Sequence, residues 1–161
     1  MADPGIPTLT PHGLLPPGIH VLTLEQAEAL FGLFQKSERR SRLFARLATY
    51  LRELRAAGWA VAVILDGSFV MKCVDDPEDI DLLVILPTGW DRAAELPPHE
   101  YNLLSHRMAK RLYKLDVFAA EEGTDEQARW EEFFAGVNVK WEGAPLCLPP
   151  GLKKGLIRKP L

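Results

Sequence analysis

Cysteine is scarce in this sequence, with Cys73 and Cys147 alone in 161 residues. Two are too few for a disulfide framework or a cysteine-built zinc site, so free thiols in a reducing, cytoplasmic setting are expected. Long apolar runs are missing as well. No window approaches the roughly 18 consecutive apolar residues that mark a membrane span, so no membrane partner is expected. The opening segment MADPGIPTLTPH has no lysine or arginine and no apolar stretch, and predicts no signal peptide. Nor is there a positive excess: 19 lysines and arginines face 22 acids, a net charge of −3. That excludes bulk nucleic-acid binding driven by overall charge. Internal repeats and low-complexity tracts are absent too.

What is present is an ordinary globular composition, 47% apolar and 25% charged. The length suits one domain with a core of its own. Residues 1–22 carry five prolines in the first 17 positions. Proline fixes φ and lacks an N–H, so this stretch reads as an extended proline-rich arm, its second half packed along the domain. Residues 23–161 read as a single domain, with a basic tail (Lys153, Lys154, Arg158, Lys159) from about 150.

Thr23 with Gln26 has the form of a capping box and predicts a helix over 24–35. A second helix should start near Ser37 and end at Gly58, with Phe44, Leu47, Leu51 and Leu54 on one face. Lys36, Arg39, Arg40, Arg42 and Arg46 around its start read as a solvated basic face. Trp59–Leu65, Asp79–Leu86 and Leu115–Ala119 read as buried strands. A third helix is expected over 99–113, with Leu104, Met108 and Leu112 inward and Arg107, Lys110 and Arg111 outward. Thr124 and Gln127 predict a fourth, ending at Gly136. Residues 137–161 read as loop. The whole is an α/β (α+β) domain, a small mixed β-sheet flanked by helices.

The chemistry gathers between Asp66 and Asp116. A strand has period two, so Asp79 and Asp81 point to one face at the start of an apolar strand. Neighbouring carboxylates that lose hydration repel unless a cation sits between them, and a hard divalent ion suits oxygen ligands. Asp116 opens another apolar strand. Three such carboxylates can hold a pair of Mg²⁺ ions, with Mn²⁺ as the alternative, for in-line phosphoryl displacement. Gly67 lets a phosphate approach the backbone, and Ser68 offers a hydroxyl and an N–H; Ser68 precedes Asp79 by eleven residues. Lys72, between the two motifs, is a candidate phosphate contact. Asp66 reads as structural, and Asp75, Asp76 and Glu78 as a solvated loop.

Leu65-Asp66-Gly67-Ser68, then Asp79-Ile80-Asp81-Leu82, then Leu115-Asp116-Val117 resemble the nucleotidyltransferase superfamily related to DNA polymerase beta. The wider text resembles an uncharacterised family of small, single-domain bacterial nucleotidyltransferase-like proteins. There the matching stretches are LPPGIH (Leu15–His20), Leu65–Leu86, Trp130–Phe134 and KGLI (Lys154–Ile157).

The resemblance implies a minimal nucleotidyltransferase fold. It implies that Asp79 and Asp81 bind both metals and that Asp116 binds the one nearer the attacking hydroxyl. Gly67 and Ser68 would then hold the β- and γ-phosphates of ATP or another nucleoside triphosphate. The implied reaction moves a nucleoside monophosphate to an acceptor hydroxyl on RNA or protein and releases pyrophosphate. Proteins of this superfamily also act in toxin–antitoxin or defence modules, which would add a toxin-type protein partner. The contrasting expectation is a catalytically silent module that binds a nucleotide or a partner protein. Base, acceptor and oligomeric state stay open.

Overall fold

Apolar runs become strands here because both faces of the sheet are covered. The computed structural model describes residues 5–161, so Pro4 and the rest of residues 1–4 lie outside it. Strands β1 (Ile19–Val21), β2 (Ala62–Asp66), β3 (Ile80–Leu86), β4 (Leu115–Glu121) and β5 (Leu156–Pro160) form one sheet in the order β1-β5-β2-β3-β4. β5 runs parallel to β1 and antiparallel to β2; β2 and β3 are antiparallel, and β3 and β4 parallel. The fold is therefore the small α+β domain with a mixed sheet that the sequence predicts.

On one face of the sheet, Val63, Leu65, Leu82, Val84 and Val117 pack against Leu43, Phe44, Leu47, Tyr50, Leu51 and Leu54 of helix α2 (Arg39–Ala57). Those α2 positions recur at helical spacing, and Gly58 ends the helix in the left-handed conformation at φ 76°. The Tyr50 hydroxyl donates to the Leu103 carbonyl at 2.6 Å, fixing α2 to α3 (Pro98–Leu104). On the other face, Ala62, Ile64, Leu83, Ile85 and Ala120 pack with Phe134 and Trp130 of α5 (Asp125–Ala135). No helix among the described residues is long and apolar enough to cross a membrane.

Several boundaries differ from the sequence reading, each for a physical reason. The capping box at Thr23 forms, but α1 covers only Leu24–Ala27 and continues as a π-helical turn over Glu28–Gly32. A Cβ at Gly32 would stand 2.8 Å from the Phe44 ring, so the turn lies close against α2. The helix expected over 99–113 is two helices. Ser105 takes an extended conformation, and its hydroxyl accepts from Met108 N to cap α4 (His106–Tyr113). The break resets the phase: Leu103 and Ala109 are buried, whereas Leu112 is exposed.

The expected basic tail is a correction. Residues 156–160 are strand β5, inside the sheet between β1 and β2. The arm and this strand fit through Gly155, whose missing Cβ would stand 2.1 Å from the Pro16 carbonyl oxygen. Gly155 N donates to Leu15 O and Leu156 N to Gly18 O, both at 2.9 Å. The LPPGIH and KGLI stretches thus meet edge to edge.

Candidate functional site

Register alone aligns three of the acids. Asp66 on β2 is opposite Asp81 on β3, and Asp81 is opposite Asp116 on β4. All three fall on the α5 side, at the end of the sheet where β2 finishes and β3 and β4 begin. Asp79, just before β3, joins them. Asp79, Asp81 and Asp116 each present a carboxylate oxygen within 4.8 Å of the others. All three are partly exposed.

Their electrostatics differ. Burial, followed by the charges of Asp66, Asp79 and Asp116, pushes the Asp81 carboxyl up to about 7. Among the described residues no cation is in contact with Asp81. Asp79 is raised, chiefly by burial, with its bond to Lys110 only partly offsetting that. Asp116 feels the same burial, but its bonds to Lys110 and Asp79 outweigh it and hold it low. Lys110, on α4, donates to Asp79 Oδ2 and, at 2.8 Å, to Asp116 Oδ2. His106 Nε2 lies 3.6 Å from Asp116 Oδ1. The sequence reading points Lys110 outward and so misses it. The break at Ser105 swings α4, and with it Lys110, toward the strand ends.

Gly67 and Ser68 border the same cleft. Gly67 sits at φ 81°, and a Cβ there would fall 2.1 Å from Asp81 Oδ2. The Asp81 carboxylate therefore occupies the space that any side chain at 67 would fill. Ser68 opens a single 3₁₀ turn, Ser68–Val70.

That segment is held by Arg40, a second correction. Arg40 is not on a solvated basic face; it is 1% exposed. Its guanidinium donates to the carbonyls of Phe31, Phe69, Met71 and Val74 at 2.6–3.1 Å. Burial lowers its pKa to about 10, which leaves it charged at neutral pH. Apart from its neighbours, Arg40 is indistinguishable from Arg39 in the sequence. Its helical spacing to Leu43, Phe44 and Leu47 is the signal that marks the buried face.

Lys72 does not border the cleft. It is exposed, its N–H donates to Gly13 O at 2.9 Å, and its carbonyl accepts from Gln35 Nε2 at 2.6 Å. Asp66 does border the cleft and is buried, facing Lys154 Nζ at 3.0 Å. Burial raises its pKa, and Lys154 pulls it partly back. Lys154 itself is 3% exposed and donates to the carbonyls of Phe134 and Gly136 at 2.8 and 3.3 Å. The expected tail lysine is thus an interior cation. In the acidic loop Asp76 and Glu78 are exposed, as a solvated loop requires; Asp75 pairs with Lys36 at 2.8 Å, and Asp76 accepts from the Ser37 hydroxyl.

The cleft has a volume of about 600 Å³, within the usual range for small-molecule sites. Its lining includes carboxylates, the Gly67-Ser68 turn and the apolar side chains of Phe118, Phe133, Val139 and Trp141. Such a space can take a ligand with an anionic end, countered by cations at the acids, and a flat apolar end.

The three-carboxylate set suits a hard divalent cation, since every donor is oxygen. The fit has a further mark in Asp81: among the described residues no cation touches it, so it gains most from one at its side.

No curated protein and no solved structure matches the chain. One family model does, over residues 7–157, well beyond half the length. The chain belongs to DUF6932, a family of unknown function.

Proposed function

We propose that this protein is a metal-dependent nucleotidyltransferase, transferring a nucleoside monophosphate from a nucleoside triphosphate to a hydroxyl on RNA or protein. The observation that carries the reading is the convergence of Asp79, Asp81 and Asp116 on one another, with Asp79 and Asp81 lining one cleft together with the Gly67-Ser68 turn. Asp79, Asp81 and Asp116 would hold Mg²⁺, which neutralises charge on the reacting phosphates.

The chain's own groups divide the remaining work. The Gly67-Ser68 turn receives the triphosphate, because glycine leaves the backbone approachable there. Asp116, ionised at neutral pH, accepts the proton of the incoming hydroxyl. The apolar wall of Phe118, Phe133, Val139 and Trp141 receives the base. Arg40 keeps the turn in place from behind. The same reading puts the protein in the cytoplasm, where nucleoside triphosphates are abundant and the free Cys73 and Cys147 stay reduced.

One observation favours the silent binding module instead. Lys110 already bridges two of the three acids.

The test is to incubate the protein with each α-labelled nucleoside triphosphate, Mg²⁺, and bulk RNA or protein. Label transfer with pyrophosphate release, lost in Asp79→Asn/Asp81→Asn, is the expected result. No transfer and no pyrophosphate with any of the four bases would reject the enzyme and leave the binding module.

A further inference from the structure

Lys110 distinguishes this site from a bare acidic triad. Its ammonium contacts Asp79 Oδ2 and Asp116 Oδ2 but does not touch Asp81. It is held there from both ends of α4. Ser105 caps the start of the helix, Lys114 closes its end in the left-handed conformation, and Ala109, next to Lys110, is buried against the sheet. Charge agrees with this division. Three carboxylates face one ammonium, and Asp81 is the one that the ammonium leaves without a contact. The neighbouring Asp66 has a cation of its own, Lys154, at 3.0 Å.

Resting on the metal-dependent reading above, we infer that the site takes a single divalent cation, held by Asp81 and Asp79, and that Lys110 fills the position between Asp79 and Asp116 that a second ion would otherwise take. The pair of ions expected from the sequence is thereby replaced by one ion and one ammonium. Lys110 is then a positioning residue. It keeps Asp79 and Asp116 together, directs the ion to the Asp81 side, and leaves a fixed positive charge beside the place where the acceptor hydroxyl enters.

The experiment counts bound Mn²⁺ by electron paramagnetic resonance, with calorimetry for affinity, on the full chain. No nucleotide or turnover is needed. The wild type is expected to bind one ion per chain. Lys110→Met should bind two, and Lys110→Gln, which keeps a polar head, should behave the same way. Asp81→Asn should lose the single ion of the wild type, at least tenfold in affinity.

Two ions in the wild type would overturn the inference and leave the metal-dependent reading standing. So would an unchanged count and affinity in both Lys110 variants. No ion in the wild type or in either variant would overturn both. Circular dichroism of each variant guards against counting ions on an unfolded chain, and either Lys110 variant alone decides the matter if the other fails to fold.

Discussion

Two carboxylate–lysine groups lie side by side on this sheet and are built to opposite ends. At Asp66 one buried acid meets one buried lysine, and Lys154 also satisfies two carbonyls. One register step away, at Asp81, three acids gather about one lysine that is 42% exposed and bonds only Asp79 and Asp116. The first group is balanced and buried at the cleft wall, the second short of positive charge and partly exposed. Removing a partner from a closed pair strands a charge in the interior, which is costly. An open group tolerates change in the metal-free protein, and under the proposed function its imbalance is met by a cation. On that proposal the contrast separates structural from functional acids where the sequence gives both the same letter.

The largest expected effect breaks the closed group. Lys154→Met should cost about 3–5 kcal/mol in urea unfolding, and adding Asp66→Asn should recover most of it. Arg40, equally buried, extends the closed class. Arg40→Ala leaves four carbonyls without their donor. At about 1 kcal/mol each, that is roughly 3–4 kcal/mol, and Arg40→Lys should not restore it, because one ammonium cannot reach all four.

Gly67→Ala lies at the boundary between the groups. Left-handed strain and the contact with Asp81 should cost about 2 kcal/mol. Binding of Mn²⁺ should weaken with it, because Asp81 must move.

Asp81→Asn sharpens the comparison through pH. The folded Asp81 titrates near 7, well above the ordinary carboxylate range. Between those values the folded state keeps a proton that the unfolded chain has released, so stability falls as pH rises toward 7. Asparagine does not titrate. In metal-free buffer the variant should match the wild type near pH 4 and exceed it at pH 8. The gain should be about 2 kcal/mol, after allowance for the site's openness to solvent. Thermal unfolding at the two pH values reads this directly, and equal differences at both would remove Asp81 from the open group.

The smallest effect is Lys110→Met. It should change metal-free stability by less than about 1 kcal/mol, as for other half-exposed ion pairs.

Much of this was legible in the chain. Strand periodicity put Asp79 and Asp81 on one face, and the apolar runs placed Asp116 on a strand of the same sheet. Glycine at 67 and the helix stop at Gly58 were readable because each does something no other residue does as well. Lys110, Arg40 and Lys154 were not. A long cationic side chain looks the same in sequence whether its head is in water or among carbonyls, and only packing decides. For Lys110 the decisive signal was one serine, Ser105, whose capping geometry broke a helix that looked continuous. For Lys154 it was pairing between distant segments, the arm and β5, which local pattern does not encode. The closed groups were thus the hardest to foresee, because tertiary contacts make them.

The most direct test of the central claim is a calorimetric titration with a non-hydrolysable nucleoside triphosphate, in Mg²⁺ and again in chelator, beside Asp79→Asn/Asp81→Asn. Saturable binding that needs Mg²⁺ and disappears in the variant is the predicted result. Binding that is the same in chelator and in the variant, or none with any of the four bases, would contradict it.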